Sequence, residues 1–80
     1  MTKPEYNLFT FYYPLKSLTA SCMYRKASIE YEAYFYELIL WERDWKEKGS
    51  MWEQIAIMAI DDEEALKKSM SFIYNFMNYD

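Results

Sequence analysis

The sequence predicts an α+β fold: a small antiparallel sheet of about three strands packed against a C-terminal amphipathic helix. Three observations carry this. Ile55, Ala56, Ile57, Met58, Ala59 and Ile60 form an unbroken apolar run with no turn residue, as in a buried strand. Asp61, Asp62, Glu63 and Glu64 stop it. Leu66, Met70, Ile73 and Met77 then recur at i, i+4, i+7 and i+11, which is one face of a helix. A compact all-α bundle is the alternative. It is suggested by the scarcity of turn residues, one glycine and two prolines in 80 residues, too few for a many-stranded meander.

Residues 1–4 read as a loose end. Residues 5–13 are rich in aromatic side chains, which suit a pleated surface. Simple alternation puts Tyr6, Leu8, Thr10 and Tyr12 on one face and Asn7, Phe9, Phe11 and Tyr13 on the other. Both faces are largely apolar, so the strand is expected to be covered on both sides. Pro14 ends it, because proline cannot donate to a ladder. Residues 15–28 show no winning period. Leu15, Leu18 and Cys22 fit a short helix, and residues 19–25 fit a strand equally well.

Residues 29–48 read as a strand, with a nearly buried helix, polar only along Glu30, Glu37, Asp44 and Lys48, as the alternative. Tyr31, Ala33, Phe35, Ile39, Trp41 and Trp45 share one face, and Glu37 and Arg43 interrupt it. A bulge near Glu37 is the expected cause. The only glycine, Gly49, marks the connection to the next element. Residues 51–60 are assigned to a central strand. For the helix, Asp61 is the expected N-cap and Glu64 completes a capping-box variant. Ala65, Phe72 and Phe76 widen its apolar face enough for a second contact beside the sheet.

The whole chain, residues 1–80, makes one domain. Such a short chain buries only roughly 60–65% of its unfolded surface. With 52% apolar and 21% aromatic residues, it holds more rings than its core can hide. Exposed rings are where partners dock. The net charge is −4 and unevenly spread: +3 over residues 1–29 and −7 over residues 30–80. That balance disfavours general nucleic-acid binding, which needs phosphate neutralisation, and fits a partner with a basic surface.

Catalytic chemistry has little to work with. No histidine is present, which removes the commonest general base and metal ligand. The single cysteine, Cys22, has no partner for a disulfide and reads as a small core residue in a reducing, cytoplasmic setting. The four acids at 61–64 lack the alternation and glycine of a calcium loop, and they read as a helix cap with a solvated acidic face. One glycine permits no phosphate loop. Neither a cofactor nor a metal site is predicted. No signal peptide is recognised at the start, and no apolar stretch reaches the ~18 residues of a membrane span.

The expected function is therefore non-enzymatic: binding and occluding a larger protein partner. The residues assigned to contact are the acids Glu30, Glu32, Glu42 and Asp44, the rings Tyr34 and Tyr36 beside them, Trp41, Trp45 and Trp52 around the proposed loop, and Phe72 and Phe76 on the helix. Tryptophan and tyrosine dominate binding hot spots. In size, acidity and single-domain character the chain resembles the small inhibitors encoded by bacteriophages, such as anti-CRISPR proteins and nucleic-acid mimics. That resemblance implies inhibition of a host defence system and assigns no residue. Two other readings stand beside it. One is a homo-oligomeric assembly module, a homodimer in the simplest case. The other is a single-stranded nucleic-acid binder, using Phe9, Phe11, Tyr12 and Tyr13 with Lys3, Lys16, Arg25 and Lys26 nearby.

Overall fold

A computed structural model describes residues 3–42 and 52–78, with backbone alone at 42 and 52. The elements run β1 (Tyr6–Tyr13), β2 (Leu18–Ser28), β3 (Ala33–Glu42), β4 (Trp52–Ala59) and α1 (Asp62–Met77). The strands make one antiparallel sheet in the order β1-β2-β3-β4, and α1 packs on one face. The fold is α+β, as expected, with four strands where about three were expected. The all-α alternative does not hold. Expected boundaries at residues 43–51 lie outside the described residues.

The two tight turns among the described residues, at 14–17 and 29–32, do without glycine. Pro14–Lys16 forms a single 3-10 turn, and the N–H of Ser17 donates to the Pro14 carbonyl at 3.2 Å. Ser17 takes a left-handed φ of 50°. Residues 29–32 close the β2–β3 hairpin. There the N–H of Glu32 donates to the Ile29 carbonyl at 3.3 Å, and Glu32 also sits at φ 50°. Asparagine or glycine would normally occupy such positions.

The stretch without a clear period becomes β2. Leu18, Ala20, Cys22 and Tyr24 alternate into the core. They meet Tyr36, Leu38 and Leu40 of β3, Ile57 and Ala59 of β4, and Ala65 and Ile73 of α1. Cys22 is a buried core residue, as its type suggested, and burial pushes its thiol above the ordinary cysteine value.

Four expectations are corrected. The alternation of β3 is unbroken, since β3 and β4 pair in continuous register from Tyr34 to Trp41. The bulge lies instead on β2 between Tyr24 and Lys26, opposite Tyr36 and Phe35. Glu37 belongs on its face because Arg25 reaches it there, Nη2 to Oε1 at 2.6 Å and Nε to Oε1 at 3.1 Å. Next, β4 is an edge strand rather than a central one. Ile57 and Ala59 point inward while Ile60 is exposed. In β1 a second bulge between Asn7 and Phe9 puts Tyr6 on the core side with Phe9 and Tyr13. Asn7, Thr10 and Tyr12 are left exposed, so β1 is not covered on both sides.

The fourth correction concerns the helix face. Asp61 is the N-cap as expected: its Oδ1 accepts from the Glu64 N–H at 2.8 Å, while Glu64 Oε1 accepts from the Ile60 N–H at 3.0 Å. Of the expected face, Ile73 and Ala65 are buried and Phe76 and Met77 pack against the core, whereas Leu66 and Met70 are 42% and 38% exposed and Ser69 is buried instead. Small side chains let the helix approach the sheet closely. The Ser69 hydroxyl reaches Cys22 Sγ at 3.6 Å.

Candidate functional site

One end of the molecule combines chemistry with exposure. It is built by the β2–β3 turn, the β4–α1 junction and the segment before β1. At its base is Asp62, the first residue of α1. The hydroxyls of Tyr6 and Tyr36 both donate to Asp62 Oδ1, each at 2.5 Å. Strand β1, strand β3 and the helix thus meet on one carboxylate oxygen. These donors, Tyr36 first, hold the Asp62 carboxyl below its ordinary value. Burial and then the Asp62 hydrogen bond push both tyrosines above theirs.

A group of rings surrounds this anchor. Tyr24 stacks on Tyr6 with centroids 5.0 Å apart, and meets Tyr34 and Tyr36 edge-on at 5.7 and 5.5 Å. Such offset and edge-on arrangements satisfy the ring quadrupoles. The Lys3 ammonium lies 5.0, 4.7 and 5.2 Å from the centroids of Tyr6, Tyr24 and Tyr34, within cation–π range of all three. A cleft of about 740 Å³ runs along this segment, lined by Tyr24, Tyr34 and Ile29 and by the charged Lys3, Glu5, Arg25 and Lys26.

Beyond the rings lies an exposed apolar tip. Ile29 is 93% exposed, Tyr31 68% and Ile60 63%. Ile29 and Ile60 line one shallow pocket of about 280 Å³, and Tyr31 and Ile60 line its neighbour of about 320 Å³. Glu32, Asp61 and Glu63 line these and the adjoining pocket, Lys68 lines the one with Tyr31, and Glu30 is exposed in the same turn. The turn forces this exposure, since no described element packs over residues 29–32.

The residues assigned from sequence scatter over this framework. Glu30 and Glu32 are exposed at the tip. Tyr34 is half-buried in the ring group. Tyr36 is fully buried and holds Asp62, so it is an anchor and not a contact residue. Trp41 lies half-buried on the sheet face away from α1, opposite Trp52 in the β3–β4 register. Phe72 is on the outer side of α1, and Phe76 packs against the core. The side chains of Glu42 and Trp52, and all of Asp44 and Trp45, lie outside the described residues. Lys3, Tyr6, Tyr24, Ile29, Ile60 and Asp62 were missed as a site. Their sequence separations, 56 residues for Tyr6–Asp62 and 26 for Tyr36–Asp62, leave no local spacing to read.

The sheet face turned away from α1 carries Met23, Phe35, Ile39, Trp41 and Met58, all half-buried. At its centre is the Arg25–Glu37 pair, with Glu5 bridging to Arg25 Nη1 at 3.4 Å. Antiparallel sheets tolerate one such face toward water. Among the described residues, no three acidic or cysteine side chains converge as a metal site, and no helix is long and apolar enough to cross a membrane. No protein-family model, curated protein or solved structure matches the chain.

Proposed function

We propose that this chain is a non-enzymatic binding protein that occludes a surface on a larger, basic protein partner. The carrying observation is the tip itself: Ile29, Tyr31 and Ile60 stand exposed beside pockets whose charged lining is mostly acidic, with Glu32, Asp61, Glu63 and Glu64 against Lys3 and Lys68. A desolvatable apolar centre with a charged rim is the anatomy of a binding hot spot. Large apolar side chains left this exposed are otherwise a liability. The acids select a basic partner and speed its approach. A cytoplasmic setting suits the lone buried thiol, and a phage-encoded inhibitor of a host defence complex is the particular case the composition resembles.

The nucleic-acid reading gains less support. Phe9 and Tyr13 pack on the core, Arg25 is held by Glu37, and Lys3 sits among tyrosines. Self-assembly is favoured by one observation, the second sheet face with its Phe35, Ile39 and Trp41. Light scattering at high concentration separates it from the main reading, because a strict monomer removes it.

The test is differential capture from native host lysate. The wild-type chain should retain a partner that both Ile29→Asp/Ile60→Asp and Glu30→Lys/Glu32→Lys lose, and retention should weaken steeply with salt. Equal, salt-insensitive capture by all three chains would contradict it.

A further inference from the structure

Most contacts that fix the rings around Lys3 do not involve Lys3, which adds a hydrogen bond to the Tyr6 hydroxyl. Tyr24 is clamped by Tyr6, Tyr34 and Tyr36, and the hydroxyls of Tyr6 and Tyr36 are tied to Asp62. Lys3 itself precedes β1 and is exposed. Its ammonium holds the Tyr6 hydroxyl, while Tyr24 and Tyr34 keep their ring contacts with each other and Tyr24 its contacts with Tyr6 and Tyr36. An ordered set of tyrosine faces with a carboxylate behind them attracts a cation through ring quadrupole and charge alike. The neighbouring cleft of about 740 Å³ falls within the size range of ligand sites; of the cations that line it besides Lys3, Arg25 is paired with Glu5 and Glu37 and Lys26 is exposed.

We infer that the Tyr6/Tyr24/Tyr34 group is a socket for an alkylammonium side chain of a partner, a lysine by preference, and that Lys3 is its resident plug. The choice of a protein lysine rests on the partner-binding reading above; the existence of the socket does not. Lysine is favoured because an unmethylated lysine ammonium already fits between the three rings at 4.7–5.2 Å. The socket opens toward the acidic tip, sharing Lys3, Tyr34, Ile60, Asp61 and Glu63 around one pocket. A basic partner seated on the tip would therefore deliver its lysines to the rings. Lys3 competes with them, so the site's apparent affinity falls in proportion to the fraction of molecules in which Lys3 is in place.

The experiment titrates Lys3→Ala and wild-type protein with Nα-acetyl-lysine methylamide, using the uncharged norleucine analogue as control. The readout is the NMR shift of the tyrosine ring protons. In Lys3→Ala the lysine probe should move the Tyr6, Tyr24 and Tyr34 signals and the norleucine probe should not. Wild type should bind about tenfold more weakly, and Lys3→Ala/Tyr34→Leu should bind neither. Equal affinity with and without Lys3, equal response to both probes, or an unfolded Lys3→Ala protein would overturn the inference, the last by making Lys3 a structural pin. Partner capture that is unaffected by Tyr34→Leu overturns the socket's role alone. Probe binding without any tip-dependent partner overturns the docking reading alone.

Discussion

The Tyr36 hydroxyl donates to Asp62 Oδ1 across 26 residues of sequence, and this contact ties the centre of the sheet to the first turn of the helix. Tyr6 shares the same acceptor from the edge strand. Hydrogen bonds to a charged acceptor contribute about 1.5–3 kcal/mol. Asp62→Asn should therefore destabilise the fold by about 1–3 kcal/mol, and Tyr36→Phe by about 1–2 kcal/mol. Thermal melts should show a drop of about 4–8 °C for each kcal/mol. If Asp62→Asn melts with the wild type, the carboxylate does not hold the two elements together.

The same three groups set the response to pH. Tyr6 and Tyr36 titrate above the ordinary tyrosine value of 10.0 in the folded chain. The folded state holds their protons more tightly than the unfolded state does. Their contribution is complete below about pH 10 and is lost as pH rises toward the folded values. Asp62, lowered from 3.8, works at the other end. Its contribution is present above about pH 4 and is lost as pH falls through the folded value. Urea unfolding should show a declining midpoint above pH 10 in the wild type and a shallower decline in Tyr36→Phe. Identical alkaline slopes would remove Tyr36 from this role.

The rotated helix face makes a sharp contrast. Ser69 is buried against Cys22, so Ser69→Leu should overpack the contact and cost about 1–3 kcal/mol. Ile73→Ala, at the fully buried centre, should cost about 2–5 kcal/mol. Leu66→Ala and Met70→Ala, both partly exposed, should each cost less than about 1 kcal/mol. Chemical denaturation ranks the four. A larger loss at Leu66 or Met70 than at Ser69 would restore the Leu66/Met70 side of the stripe that periodicity suggested.

Glu32 pays no visible return for its left-handed backbone, φ 50°. Glu32→Gly should raise stability by up to about 1 kcal/mol, strain relief offsetting the added freedom of the unfolded chain. Glu30→Gly in the same turn relieves no positive φ and should lower stability by a few tenths of a kcal/mol. A melting temperature that falls in both variants would show that the turn stores no strain.

How much of this was legible in the residues differs by level. The α+β class, the end of β1 at Pro14, the Asp61 cap and the core placement of Cys22 were readable, because each depends on local chemistry. The helix face was misread at Leu66 and Met70, although Ile73 and the flanking Ala65 were placed correctly, because beside leucine and methionine Ser69 and Ala65 are weak hydrophobic signals. Their value is small size, which matters only once a sheet lies opposite. Glu37 looked like a broken alternation because its partner, Arg25, comes from another strand. The acids at 61–64 looked alike, yet Asp61 caps the helix while Asp62 turns inward to two tyrosines. Lys3 looked like part of a loose end, since the rings that receive it come from three different strands. The exposed tip was half legible, in Glu30 and Glu32 but not in Ile29 or Ile60.

The docking claim is tested most directly by placing a photo-crosslinking amino acid at position 31, on the tip, and separately at position 12, on the sheet face away from α1. In host lysate, position 31 should give one discrete partner adduct that disappears when Ile29→Asp and Ile60→Asp are introduced, and position 12 should give none. An adduct from position 12 with none from position 31 would contradict the account.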